Sequence, residues 1–130
     1  GLSSRHRWSR QTLSDGHRIK ATVAARKGNL EKALSENRRA IALDSQNGRA
    51  FGNMGVLQLR AGDKEGARAS LKKASNLRPY DPRIWRNLAL THFQLGEIEL
   101  ARRALSESVA VGSGPEDELK SDKLRTRLGL

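Results

Sequence analysis

The side chains able to do bond chemistry are few in this sequence and poorly spaced for it. His6, His17 and His92 share no metal-ligand spacing with a carboxylate, and no His-Glu-x-x-His pair occurs. With no Cys there is no thiolate nucleophile, thiolate metal site or disulfide, and the compartment stays open. Gly112-Ser113-Gly114 is not followed by Lys-Ser/Thr, so it builds no phosphate loop, and no Ser lies in a nucleophile elbow. Glu97/Glu99 and Glu116/Asp117/Glu118 fall where helices are expected to begin, and there they complement the helix dipole. The expectation is no enzyme, no metal and no cofactor. What remains is recognition chemistry. Of the 25 cations 17 are Arg, whose planar fork pairs with carboxylates and phosphates. Asn53 and Asn87 stand 34 residues apart, each amide offering donors and an acceptor.

These residues need a scaffold, and the composition bounds it. A chain of 130 residues suits one domain burying roughly 68% of its surface on folding. Hydrophobic residues are 36% of the chain but evenly spread, which reads as globular. No apolar run reaches the roughly 18–20 residues of a membrane helix, and the N-terminus lacks the apolar core of a signal peptide. The chain opens on Gly, as a processed or excised piece of something longer would. The net charge of +11 is graded: +6 over residues 1–47, +4 over 48–81, +1 over 82–115 and 0 over 116–130. Such an excess favours acidic partners, whether peptide, nucleic acid or anionic lipid.

The organising feature is a repeat of 34 residues. Gly28-Asn29-Leu30-Glu31-Lys32-Ala33 recurs as Gly62-Asp63-Lys64-Glu65-Gly66-Ala67 and as Gly96-Glu97-Ile98-Glu99-Leu100-Ala101. Each Gly can end a helix in the left-handed conformation, and the Asn, Asp or Glu behind it can open the next. Phe51, Met54, Val56, Leu57 and Leu59 cover one broad helical face, and Ala67, Leu71, Ala74 and Leu77 recur at three and four. Asp81-Pro82 adds a capping Asp and a first-turn Pro. Every copy therefore predicts helix, tight turn, helix.

These residues resemble the tetratricopeptide repeat. The second unit shows Phe51, Met54-Gly55, Gln58, Ala67, Leu71, Ala74 and Pro79 at the family's positions; the third shows Trp85, Leu88-Ala89, His92, Ala101 and Leu105, with Ser113 in place of Pro. The first unit keeps Ala21, Gly28, Ala33 and Ala40 but has His17, Lys20 and Asn37 where apolar residues belong. The resemblance covers residues 14–115 and implies an all-α, right-handed solenoid of antiparallel helix pairs, with units 14–47, 48–81 and 82–115. In that geometry Gly55/Ala89 and Ala67/Ala101 let paired helices approach closely, and His92 packs in the core. Residues 116–130, with Leu119, Leu124 and Leu128, are expected to form a capping helix over the last apolar face. Residues 1–13 are expected to form a leading helix anchored by Trp8 and Leu13, or a basic arm.

The resemblance further implies a concave groove lined by the first helix of each unit. Projected onto it, the second unit presents Arg49, Asn53 and Arg60, and the third presents Arg83, Arg86, Asn87, Leu90, Phe93 and Gln94. The first contributes Arg18 and Arg26. Asn53 and Asn87 look like the asparagine ladder with which some family members grip peptide backbone. The arginines differ from the Lys-and-Asn carboxylate clamp of chaperone-binding members, which Arg86 and Asn87 echo only in part. The expected function is a non-enzymatic module holding an acidic or amphipathic segment of a partner protein. A nucleic-acid reading competes, but aromatics are 4% and none interleaves with a basic face to stack bases. A third reading is a homo-oligomeric scaffold, in which end faces of a short array stack on other copies.

Overall fold

The computed structural model describes residues 8–130; of the expected leading segment, residues 1–7 lie outside the described residues. The described residues form seven helices and no strands: α1 Arg10–Arg26, α2 Leu30–Leu43, α3 Gly48–Arg60, α4 Lys64–Leu77, α5 Pro82–Gln94, α6 Ile98–Val111 and α7 Pro115–Leu128. They pair as α1/α2, α3/α4 and α5/α6. Each new pair packs its first helix against both helices of the pair before it, and α7 packs on α5 and α6. The fold is the all-α solenoid expected from the sequence.

One turn, used three times, sets the pairing. Gly28, Gly62 and Gly96 have φ of +78°, +84° and +77°, a left-handed conformation that an L side chain resists. The residue after each Gly donates its N–H back across the turn: Asn29 to Ala24 at 2.9 Å, Asp63 to Gln58 at 2.8 Å and Glu97 to His92 at 2.8 Å. These bonds close orphan carbonyls of the ending helix. The same residue then opens the next helix. Asn29 accepts from the Lys32 N–H and Asp63 from the Gly66 N–H. Glu97 departs from the expected pattern, because its carboxylate caps nothing and turns instead to His92 and Arg68.

The main core lies between the second and third units, where Leu71, Ala74, Ile84, Leu88, Ala89, Ala104 and Leu105 are buried together. A Cβ built on Gly55 would run into the Leu71 side chain, so this Gly allows α3 and α4 their close approach. Ala67 and Ala101 are fully buried in the matching positions of the two units.

The first unit replaces apolar packing with polar pairs. His17 Nδ1 lies 2.6 Å from Glu36 Oε2, the Asn37 amide donates to the Ala50 carbonyl at 2.6 Å, and the Ser14 hydroxyl donates to the Ala40 carbonyl at 2.6 Å. Asn47, which caps α3 by accepting from the Ala50 N–H, donates to Ser14 and Asp15 of α1 and so ties the second pair to the first. Lys20 simply stays in solvent.

The two ends differ from expectation in detail. Helix α1 begins at Arg10 and runs through residue 14 without a break, with Trp8 68% and Leu13 40% exposed. At the other end α7 is docked by polar atoms as much as by leucine. Ser108 and Ser121, both fully buried, share a hydrogen bond of 2.8 Å, whereas Leu119 is 54% exposed and faces away. Leu124 does reach the core.

Candidate binding groove

The first helices α1, α3 and α5 lie side by side because their small inward residues let the pairs nest, and their outer faces form a shallow groove. Two contiguous clefts run along it. One, of about 380 Å³, brings together Arg18 and Thr22 from α1, Arg49, Asn53 and Val56 from α3, and Arg83, Ile84 and Asn87 from α5, with Asp81 at the α5 N-terminus. The other, of about 450 Å³, is lined by Arg26, Asn53, Arg60 and the apolar Ala25, Val56 and Leu57. Both fall in the size range of small-ligand sites.

Arg18, Arg49, Asn53, Arg83 and Asn87 thus converge on one cleft, and Arg26 and Arg60 on its continuation. Neither Asn53 nor Asn87 uses its side-chain amide on another described residue. Four candidates stand apart. Leu90, Phe93 and Gln94 lie further along α5 and line neither cleft. Arg86 is 11% exposed, and its guanidinium reaches Asp117 of α7 at 3.5 Å, so it holds the cap. Asp117 in turn accepts from the Ser113 N–H and hydroxyl, closing the loop before α7.

The cleft arginines are not bare charges. Arg18 pairs with Asp15 at 3.2 Å, and Arg83 pairs with Asp81 through its side chain at 3.2 Å and its backbone N–H at 3.0 Å. Burial pushes the Asp81 carboxyl up, but hydrogen bonds from Arg83 and the charges of Arg83 and Arg78 outweigh it and hold it below its ordinary value. The same hydrogen bond and charge raise the Arg83 guanidinium above its ordinary value. Arg49 has no carboxylate partner among the described residues. Asp81 is the cleft residue the sequence hid, because as a helix cap its role looked purely local; the Asp-x-Arg spacing at a helix start was the available signal. Away from the groove, His92 is buried as expected, with its Nδ1 3.0 Å from Glu97 and Glu97 2.7 Å from Arg68.

Comparison with known proteins agrees with this architecture. A family model described as tetratricopeptide repeat matches residues 53–118. No curated protein matches the chain. Among solved structures, the first TPR of Spaghetti (RPAP3), bound to the HSP90 peptide SRMEEVD, superposes with a TM-score of 0.80 at 14% identity, covering 92% of this chain and 96% of that one. The translocator chaperone SycD of Yersinia enterocolitica, in an alternative dimer, gives 0.80 at 20% identity, covering 91% and 90%. The Sgt2 TPR domain from Aspergillus fumigatus gives 0.77 at 17% identity, covering 89% and 79%. The three-fold glycine turn, the nested helix pairs and the match over half its length place this chain in the tetratricopeptide repeat family.

Proposed function

We propose that the chain is a protein-interaction module whose groove holds an extended, acidic segment of a partner protein. The observation that carries this is the convergence of Arg18, Arg49 and Arg83 with the uncommitted amides of Asn53 and Asn87 on one cleft. The amides suit peptide backbone, which every sequence presents, at roughly 0.5–1.5 kcal/mol net per hydrogen bond. The arginines suit side-chain carboxylates. Arg49 is available outright, and a bound acid can share Arg18 and Arg83 with Asp15 and Asp81, as forked guanidiniums allow. Val56 and Ile84 give apolar footing between them. Charge pairing of this kind speeds encounter and selects the partner more than it adds affinity, and it weakens with salt over a screening length of about 8 Å.

The test uses the acidic peptide SRMEEVD as probe, read by fluorescence anisotropy, beside a counterpart with both Glu replaced by Gln. The acidic peptide is expected to bind more tightly, and the gap to narrow as salt rises. Asn53→Ala/Asn87→Ala removes two backbone anchors and is expected to weaken binding about tenfold or more, since roughly 1.4 kcal/mol is tenfold. Undiminished affinity in that double variant, folded by circular dichroism, overturns the groove reading.

A further inference from the structure

A second surface lies on the outer edge of α1 and shares no lining residue with the two groove clefts. The 34-residue register identifies it. Gly16, Lys20 and Val23 correspond to Ala50, Met54 and Leu57 in the second unit and to Ile84, Leu88 and Thr91 in the third. Those six are buried, each 5% exposed or less, because the preceding helix pair covers them. Leu57, for example, packs with Ala24 and Ala33 of the first unit. Val23, at the position of Leu57, is 44% exposed; Ile19 beside it is 52% exposed and stands at the groove-side position of Asn53 and Asn87, on the border of this face. Among the described residues nothing covers this face, although it stands in interface register.

Its chemistry states what would cover it. Ile19, Val23 and Ala24 line a hollow of about 380 Å³, ringed by Lys20, Lys27 and Lys32. These three lysines are exposed and make no ion pair with another described residue; of the acids nearby, Glu31 is exposed and Glu36 is buried and already held by His17 and Arg39. The seven residues ahead of Trp8 add Arg5 and Arg7 and no acid. Through Lys20 the hollow continues into a smaller one beside Trp8 and Leu13.

We propose that this edge docks an amphipathic helix of a partner protein, with its apolar stripe over Ile19 and Val23 and its flanking acids on Lys20, Lys27 and Lys32. A helix fits because helices cover the positions of Lys20 and Val23 in the other two units, with Ile19 extending the apolar strip beside them, and acidic flanks fit because the rim is cationic. A second copy fits less well. It would bring the same lysines face to face on a chain of +11, or would dock α7, where acids and cations balance and Lys120 already pairs with Glu116, so that no acidic excess meets the lysine rim.

The proposal is tested on the full chain with a labelled 16-residue helical peptide, leucine at i, i+3 and i+7 with Glu on both flanks, and a counterpart carrying Lys on the flanks. The Glu-flanked peptide is expected to bind at least tenfold more tightly than its counterpart. Val23→Glu and Lys27→Glu/Lys32→Glu, all at exposed positions, are each expected to weaken it at least tenfold, while Asn53→Ala/Asn87→Ala changes it less than twofold. Equal binding of the two peptides overturns the proposal, as does loss of binding in the groove variant to the same degree. A dimer in sedimentation that Val23→Glu dissociates assigns the face to a second copy instead. Binding to phosphatidylserine vesicles that the same variants abolish, without peptide binding, assigns it to a membrane surface.

Discussion

Glu36 is a carboxylate largely removed from water, and two donors make that tolerable. His17 Nδ1 lies 2.6 Å from one of its oxygens, and Arg39 Nη1 donates to the other at 3.1 Å. The hydrogen bond with His17 pulls the carboxyl down, burial opposes it, and the nearby charge of Arg39 helps to hold it below its ordinary value of 4.5. A carboxyl lowered in the folded state stabilises the fold above its unfolded value and loses that contribution as pH falls through the folded one. Glu36→Gln should therefore cost about 1–2 kcal/mol at pH 7, in line with hydrogen bonds to charged groups. The cost should shrink steadily as the pH is taken below about 4.5. Urea melts of both proteins from pH 7 to pH 3.5 measure it, and a gap that stays constant with pH counts against the pair.

At the scale of the element, three helix pairs built on one pattern allow direct substitution between units. Asn37 stands in the register of Leu71 and Leu105, and all three are fully buried. Its Oδ1 has no hydrogen-bond partner, while its amide donates to a carbonyl, Ala50, already inside helix α3. Across the pair sits Ala21, matching Ala89 opposite Leu105, so the space a leucine needs exists in the third unit's geometry. Asn37→Leu is expected to stabilise the chain by about 1 kcal/mol by removing an orphaned buried acceptor and burying apolar surface. Gly55→Ala is expected to do the reverse, costing about 1–3 kcal/mol, because its Cβ meets Leu71. The midpoint of urea unfolding gives both signs. These elements were legible because their determinants are local and periodic: the glycine turns, the small residues and the acids that open helices all sit at fixed offsets. The polar substitutes of the first unit were not, since His17 finds Glu36 on the other helix and no short spacing announces it. The groove was legible in part for the same reason. Asn53 and Asn87 share a register, but Arg86 is claimed by Asp117, which belongs to α7 and lies 31 residues away.

Across the whole molecule, carboxylates held below their ordinary values recur along the array. Glu36 sits inside the first pair, and Asp81, paired with Arg83 and Arg78, lies where the second unit meets the third. Glu97 is lowered first by its hydrogen bond with His92 and then by Arg68 of the second unit, and Asp117 first by the Ser113 N–H, against burial, with Arg86 adding to it. In a solenoid each unit touches only its neighbours, so stability is a sum of units and junctions, and weakening the junctions weakens the array. All four groups have the same sign: their contribution is present above the ordinary carboxylate range and is lost as pH falls through it. Acid also neutralises the 14 acidic side chains against 25 cations, which adds repulsion on a chain already at +11. The thermal midpoint is therefore expected to vary little between pH 7 and about pH 5 and to fall steeply below about pH 4.5. Salt separates the two causes, since it screens the diffuse repulsion and cannot restore a protonated acid to its partner. Asp81→Asn/Asp117→Asn should lower the midpoint at pH 7 and flatten its decline below pH 4.5 at any salt concentration. A decline as steep as that of the unaltered chain, measured by circular dichroism at low and high salt, would show that the junction carboxylates do not set the acid limit.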